Sequence, residues 1–404
     1  MTATTESPRG EFPLLAATPE LRYLDSAATA QIHRLALDAV VHHETARRAN
    51  VSRGTYRLAE AADLAYEGAR QTVARFLNAY SADEVIFTSG ATASMNLVAH
   101  AFGATLKAGD RVVISLAEHH SNFVPWLMLR ERIGIELSLI PVTASGRLDL
   151  ARLPELINGK CRLIAVTQCS NVTGAWTDVA PLVAAARKVG AKVLLDGAQA
   201  VQHGPRDVRA LGVDFYAFSG HKCFGPGGVG VLWGRGESLA ALPPFLAGGG
   251  MISEVTSRAA TWAAPPRRFE AGTPPIAQAV GLAAALEWMT GLDWPRIHAR
   301  EARQCEQLIE GLRRIPGVRL LGPDAREARA PIVSFEIPGL HPHDICQVLD
   351  TRNLALRGGH HCAQPLLAAL GAEVCTRASI ALYNDEDDIR ALLDGLDFTL
   401  RELA

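Results

Sequence analysis

A mostly parallel α/β sheet with helices on both faces, followed by a smaller α+β domain, is the fold that this 404-residue chain predicts. Three observations point there. From about residue 82 to 234, short apolar runs alternate with helical patterns, as strands buried on both faces alternate with crossover helices. Two of those runs end on a carboxylate and beside a lysine, at the strand ends where open α/β sheets place ligands. Beyond about residue 281 the alternation gives way to long helical stretches with isolated strand-like runs.

In chain order, residues 84–88, 111–116, 135–140, 162–167, 192–196, 213–218 and 229–233 read as strands. Residues 93–105, 123–132 and 178–189 read as helices between them. Gly225-Pro226-Gly227-Gly228 turns the chain sharply and reads as a hairpin turn. Residues 248–275 read as loop. Helices are then expected at 276–289, 295–315 and 385–403, and strands at 332–337 and 376–382. The domain organisation expected is an N-terminal segment, 1–22, packing with the small domain, a large domain over 23–280, and a small C-terminal domain over 281–404.

Composition excludes several classes. Hydrophobic residues make up 48% and charged residues 20%, with 40 Lys+Arg against 42 Asp+Glu and a net charge of −2. That balance suggests neither a nucleic-acid partner nor a membrane surface. No apolar run approaches the ~20 residues of a membrane span, and residues 1–13 lack the core of a secretory signal. The seven cysteines are scattered and never spaced Cys-x-x-Cys. Free thiols in a reducing, cytoplasmic setting are therefore expected, with no metal site.

The chemistry starts from Asp196-Gly197-Ala198-Gln199 and Ser219-Gly220-His221-Lys222, each closing an apolar run. A lysine can hold an aldehyde as an imine, and a buried aspartate can keep a pyridine nitrogen protonated. Together they suit pyridoxal phosphate. Thr88-Ser89-Gly90-Ala91-Thr92-Ala93-Ser94 follows a strand and opens a helix, so its free N–H groups can meet a phosphate. Glu118-His119-His120 closes another strand, with His119 able to stack on a flat ring. Asn171, in Ser170-Asn171-Val172-Thr173-Gly174, can donate to a ring hydroxyl or equally mark a turn.

These segments, with Tyr23-Leu24-Asp25-Ser26-Ala27-Ala28-Thr29 and Phe269-Glu270-Ala271-Gly272-Thr273-Pro274, resemble the class V aminotransferase family of fold-type I pyridoxal phosphate enzymes. The likeness runs from Tyr23 to the C-terminus. It implies that Lys222 carries the cofactor, Asp196 pairs with its ring nitrogen, Gln199 bonds the ring oxygen and His119 stacks on the ring. Ala91, Thr92, Ser219 and His221 would hold the phosphate. Thr273 would reach the phosphate of a neighbouring subunit, which implies a homodimer with shared sites.

Arg357-Gly358-Gly359-His360-His361-Cys362-Ala363-Gln364-Pro365 resembles the active-site loop of the SufS- and CsdA-type cysteine desulfurases, the second group within that family. The resemblance implies that Cys362 is the nucleophile, its thiolate favoured by Arg357 and a histidine, and that Arg377 clamps the substrate carboxylate. L-Cysteine would yield alanine and a persulfide on Cys362. The sulfur would pass to a SufE- or CsdE-like protein or a scaffold, for iron–sulfur clusters or a thio-cofactor. A selenocysteine lyase or another C–S lyase is the alternative. The chain departs from the family pattern at Ser89, Ala91 and Ala93 of the phosphate helix, at Ser52, and at Pro275-Ile276-Ala277. Arg53, expected at the dimer interface, is kept.

Overall fold

The computed structural model describes residues 7–403 except Arg53, so the dimer-interface expectation for Arg53 lies outside the described residues, as do residues 1–6 of the N-terminal segment. Seven strands form the large sheet: β1 (Val85–Thr88), β2 (Arg111–Ser115), β3 (Glu136–Ile140), β4 (Cys161–Thr167), β5 (Lys192–Asp196), β6 (Phe215–Ser219) and β7 (Gly230–Gly234). Their order is β1-β7-β6-β5-β4-β2-β3. β2 to β6 run parallel, while β7 is antiparallel to both β1 and β6. All seven were expected, with ends shifted by at most two residues and β5 unshifted.

Successive side chains of a strand face opposite ways, and here both faces are buried. Val113, Ile164, Val166, Val193, Leu195, Tyr216 and Phe218 enter one core. Val112, Ile114, Leu163, Ala165, Leu194, Phe215 and Ala217 enter the other. This is why the strands read as unbroken apolar runs. Helices α1 (Arg34–Ala46), α2 (Arg57–Phe76) and α4 (Ile276–Thr290) pack together, while α3 (Ala91–Gly103) follows β1 and lies against β6 and β7. Buried Arg70 ties α2 to β1. It donates to Glu270 Oε1 at 2.7 Å and to the Val85 carbonyl at 2.7 Å, and Glu270 accepts from Phe87 N at 2.7 Å.

A second, antiparallel sheet has the order β8 (Arg319–Leu321), β9 (Ile332–Glu336), β11 (Cys375–Ser379), β10 (Arg357–Gly359). Helices α5 (Trp294–Leu312), α6 (Pro342–Asp350) and α7 (Glu386–Leu403) close its core around Val333, Phe335 and Ala378. The amino-terminal segment bridges: Phe12 is buried with Val73 and Leu286, and its ring meets Tyr383 edge-on at 4.8 Å, while Ser7 Oγ donates to the Tyr383 carbonyl. Within the stretch expected as loop, Ile252–Val255 and Ala260–Trp262 form a two-stranded ribbon. Nearly all of its residues are exposed, so no burial alternation marks it. No helix among the described residues is long and apolar enough to cross a membrane.

β7 packs where the phosphate helix begins. A Cβ on Gly230 would stand 2.4–2.8 Å from the backbone of Gly90, with no flexible side chain to yield. Gly230→Ala should therefore cost about 1–3 kcal/mol by overpacking, lowering the thermal midpoint of the apoprotein by several degrees. Gly227→Ala, with nothing within 4 Å of its Cβ, should leave the midpoint unchanged. Circular dichroism melts of the pair check this.

Candidate active site

The C-terminal ends of β1, β2, β4, β5 and β6 open on one edge of the sheet, and the chain leaving each one carries a polar group to it. After β1, Gly90 (φ +154) starts α3 and leaves first-turn N–H groups without helical partners. That of Ala91 donates to Ser219 Oγ at 2.8 Å. His119 follows β2, Asn171 follows β4, Asp196 ends β5, and the 3-10 turn Gly220–Lys222 follows β6. The second sheet faces this edge with Arg377 from β11, Arg357 from β10 and the Cys362 loop.

One cavity of about 220 Å³ collects Ala91, Thr92, His119, Asn171, Asp196, Gln199, Ser219, His221, Lys222, Arg357, Cys362 and Arg377. Thr273 alone among the nominated residues lies elsewhere. It lines a separate cavity of about 240 Å³ with Ser52, Arg70 and Glu270. Sequence reasoning missed Asp25, Ser121 and His361 as working parts of the site. Asp25 sits in a quoted motif, but its partners lie far along the chain, where no local pattern reaches.

Lys222 lines the cavity and has no hydrogen-bond or ion-pair partner among the described residues. Burial pulls its amine down to about 8, opposed by the Asp196 carboxylate and helped by Arg377. Asp196 is buried and accepts from Ala198 N at 2.9 Å; burial raises its carboxyl against that bond and the Lys222 charge. His119 Nδ1 accepts from Ser121 N at 3.1 Å, with Ser121 Oγ 2.9 Å away. Burial and the Lys222 charge hold the ring down to about 3, so it is neutral with its proton on Nε2. Behind it, Glu118 accepts from Thr167 N at 2.9 Å and Asn122 Nδ2 at 2.6 Å, tying the β2 and β4 ends together. His221 Nδ1 meets Thr29 Oγ1 at 3.1 Å, and burial lowers the ring to about 4.

The carboxylate-facing end is built from both sheets. Arg357 and Arg377 are cross-strand partners, a like-charge pairing that is unfavourable by itself. Asp25 answers it, accepting from Arg377 Nη2 at 2.8 Å and standing 3.9 Å from Arg357 Nη1. Arg377 Nη1 donates to the Asn171 carbonyl at 3.0 Å, while its Nε is buried without a partner. Asn171 departs from a purely ligand-facing part, since its Nδ2 donates to the His361 carbonyl at 2.8 Å and leaves one N–H for the cavity. His361 and Cys362 both hold left-handed backbone, φ +51 and +53. Cys362 N is 3.3 Å from His360 Nδ1, and its carbonyl accepts from His120 N at 2.8 Å.

The residues present fit pyridoxal phosphate. Gln199 Oε1 is buried without a partner, and Gln199 Nε2 donates to the Ala27 carbonyl at 2.8 Å with one N–H to spare. Free N–H groups and hydroxyls at the start of α3 suit a phosphate. Asp196 suits a protonated ring nitrogen, and an unpartnered lysine suits an aldehyde. The orphan Nε of Arg377 suits a carboxylate.

Comparison with known proteins agrees with this arrangement. The family profile described as aminotransferase class-V matches residues 22–392. A probable cysteine desulfurase of Streptomyces coelicolor is 45% identical over 402 residues, 97% of this chain and 96% of its own. The crystal structure of the Escherichia coli cysteine desulfurase CsdA, with an S-sulfonic acid, superposes with a TM-score of 0.91 at 39% identity and covers 98% of each chain. A mutant of the protein C-DES, with glycine covalently linked to its PLP cofactor, superposes at 0.82 with 26% identity, covering 96% of this chain and 98% of its own. The chain belongs to the class-V aminotransferase family.

A lysine lowered to about 8 reacts as a free amine only once deprotonated. The rate at which apoprotein takes up pyridoxal phosphate should climb about tenfold per pH unit below 8 and level off above it. Stopped-flow absorbance of imine formation checks this; a midpoint at or above 10 would contradict the burial argument. Lys222→Ala should show no uptake of this kind.

Proposed function

We propose that this member of the class-V aminotransferase family is a pyridoxal phosphate-dependent cysteine desulfurase, converting L-cysteine to L-alanine and leaving the sulfur as a persulfide on Cys362. The observation that carries the reading is that Lys222, Asp196, Arg377 and Cys362, drawn from two sheets, line one small cavity. Near-full-length relatives bearing that name support it.

When bound, pyridoxal phosphate supplies an aldehyde that condenses with amines and a ring that accepts electron density from the adjacent carbon. Lys222 would hold the cofactor, and its amine, lowered to about 8, would serve as the base for the substrate Cα proton near neutral pH. Asp196 would keep the ring nitrogen protonated, and Gln199 would donate to the ring oxygen. His119 would lie against the ring, its neutral imidazole carrying a proton at Nε2. Ala91, Thr92, Ser219 and His221 surround the phosphate end. Arg377 takes the substrate carboxylate through its unpartnered Nε, with Arg357 beside it.

Cys362 Sγ attacks the substrate sulfur, so the S–S bond forms as the Cβ–S bond breaks and the substrate carbon leaves as alanine. The Sγ sits on a backbone fixed at both its N–H and its carbonyl, which orients the attack. The persulfide then passes to a SufE- or CsdE-like protein or a scaffold, serving iron–sulfur clusters or a thio-cofactor. A homodimer in the cytoplasm is part of the reading. What supports it is that Thr273, the residue assigned to the neighbouring phosphate, stands outside the chain's own Lys222 cavity.

Wild type and Cys362→Ser, assayed side by side, test this. Both should bind pyridoxal phosphate with equal affinity, while alanine release from L-cysteine should fall at least about 100-fold in the variant, the loss typical of removing a nucleophile. Mass spectrometry should find one extra sulfur on wild type only. Undiminished cysteine turnover in Cys362→Ser would favour a C–S lyase, and activity retained on selenocysteine alone would favour a selenocysteine lyase.

A further inference from the structure

The 170–176 turn that carries Asn171 to the active cavity has a second side. There Trp176 lines another cavity, of about 470 Å³, more than twice the volume of the first. Its walls come from His203 and Arg206 of the large sheet's loops, His298 and Glu301 of α5, and the 325–331 segment entering β9. The turn is the partition between the two: Ser170 N donates to the Ala175 carbonyl at 3.0 Å, and Ala330 N to the Gly174 carbonyl at 2.8 Å.

Arginines outnumber carboxylates in this cavity, three (Arg206, Arg326 and Arg329) to two (Glu301 and Glu327), and none of the three makes an ion pair among the described residues. The Arg206 guanidinium lies over the Trp176 ring, 5.3 Å from its centroid, and donates to the Ala200 carbonyl. Its Nε is buried without a partner, and no carboxylate among the described residues pairs with it. Arg329 spends its donors on the carbonyls of Thr173, Pro323 and Ile332. Burial lowers both guanidinium groups from their ordinary values. The two carboxylates of the lining are engaged elsewhere, Glu301 with His203 Nδ1 at 3.1 Å and Glu327 with Arg147 at 3.0 Å. Arg326 stands exposed at the rim, with no side-chain hydrogen bond among the described residues. Cations withdrawn from water without a direct ion pair are costly, and a bound anion offsets that cost.

We propose that this cavity binds a small anion, a phosphate or a carboxylate, held by Arg206 and Arg326 on the Trp176 side of the turn. The site does not depend on the reaction assigned above. Isothermal titration calorimetry on the cofactor-loaded protein, whose own phosphate cradle is filled, tests it at matched ionic strength. One arm uses inorganic phosphate and the other succinate. Saturable binding of one anion per chain is expected in at least one arm, and the arm that binds identifies the chemistry. Arg206→Gln should weaken it about tenfold or more and Arg326→Ser about threefold. Arg187→Ser, at the opposite edge of the sheet, should leave it unchanged. Saturable heat in neither arm, or wild-type affinity in both cavity variants, overturns the proposal. Arg206 also supports Ala200, so should Arg206→Gln fail to fold, the exposed Arg326→Ser decides, with wild-type affinity counting against the site.

Discussion

The 170–176 turn is the joint on which the rest of the site depends. Its backbone accepts from Arg377 at Asn171 and from Ser334 Oγ at Val172, 2.6 Å away, and the Asn171 amide holds the His361 carbonyl. Three pieces of the C-terminal half are thus registered against the end of β4 by one short segment. Gly174, at φ +69, makes the approach possible, because a Cβ there would stand 2.7 Å from the Ala330 carbonyl. Arg377 and Cys362 reach Lys222 only because this joint closes. A one-residue slip would move both by a strand step of about 3.3 Å, more than the tolerance for reaction geometry.

Charge in the cavity is graded from one end to the other. Lys222, His119, His221 and His361 are all pushed toward their neutral forms, chiefly by burial. The permanent cations, Arg357 and Arg377, are gathered at one end over a single carboxylate, Asp25. Free helical N–H groups lie at the other end. A ligand with anionic groups at both ends and titratable nitrogen in the middle meets complementary polarity along the whole cavity. An excess of guanidinium groups over carboxylates likewise marks the neighbouring cavity beyond Trp176.

The large sheet was legible because most of its strands are buried on both faces, so their apolar runs stood out from their surroundings; the edge strand β3, buried only at Ile140, is the exception. Helices α1 and α2 did not stand out, for a physical reason. The buried face of α1 holds only Ala36 and His43, and that of α2 mixes Ala59, Ala62, Ala69 and Ala74 with the polar Arg70 and Thr72 beside Tyr66, Val73 and Phe76, so small and polar residues interrupt the large apolar ones. β8 and β10 are three residues each, too short to show alternation. In the site, residues at strand ends were legible singly, since Asp196 and Lys222 each break an apolar run. Their supports were not. Asp25 and Arg377 are 352 residues apart, and only the bridge between Asp25 and Ser379 at the end of β11 brings them to 2.8 Å. The part Asn171 plays in holding His361 is likewise invisible without the second sheet.

On the function proposed above, Cys362 would face two demands that pull in opposite directions. Its Sγ would have to meet a substrate held beside Lys222, and then an acceptor arriving from outside. The backbone answers the first demand by rigidity: two consecutive left-handed residues are unfavourable for side chains other than glycine, and they are held by Asn171, His360 and His120 from three separate segments. Such a conformation persists only where its surroundings over-determine it. The second demand is left to the side chain. Cys362 remains partly exposed while its neighbours His361 and Ala363 are buried. With the main chain fixed on both sides, rotation about the Cα–Cβ bond is the freedom that remains, and a thiol pivoting on a fixed stem samples both positions at less entropic cost than a mobile loop.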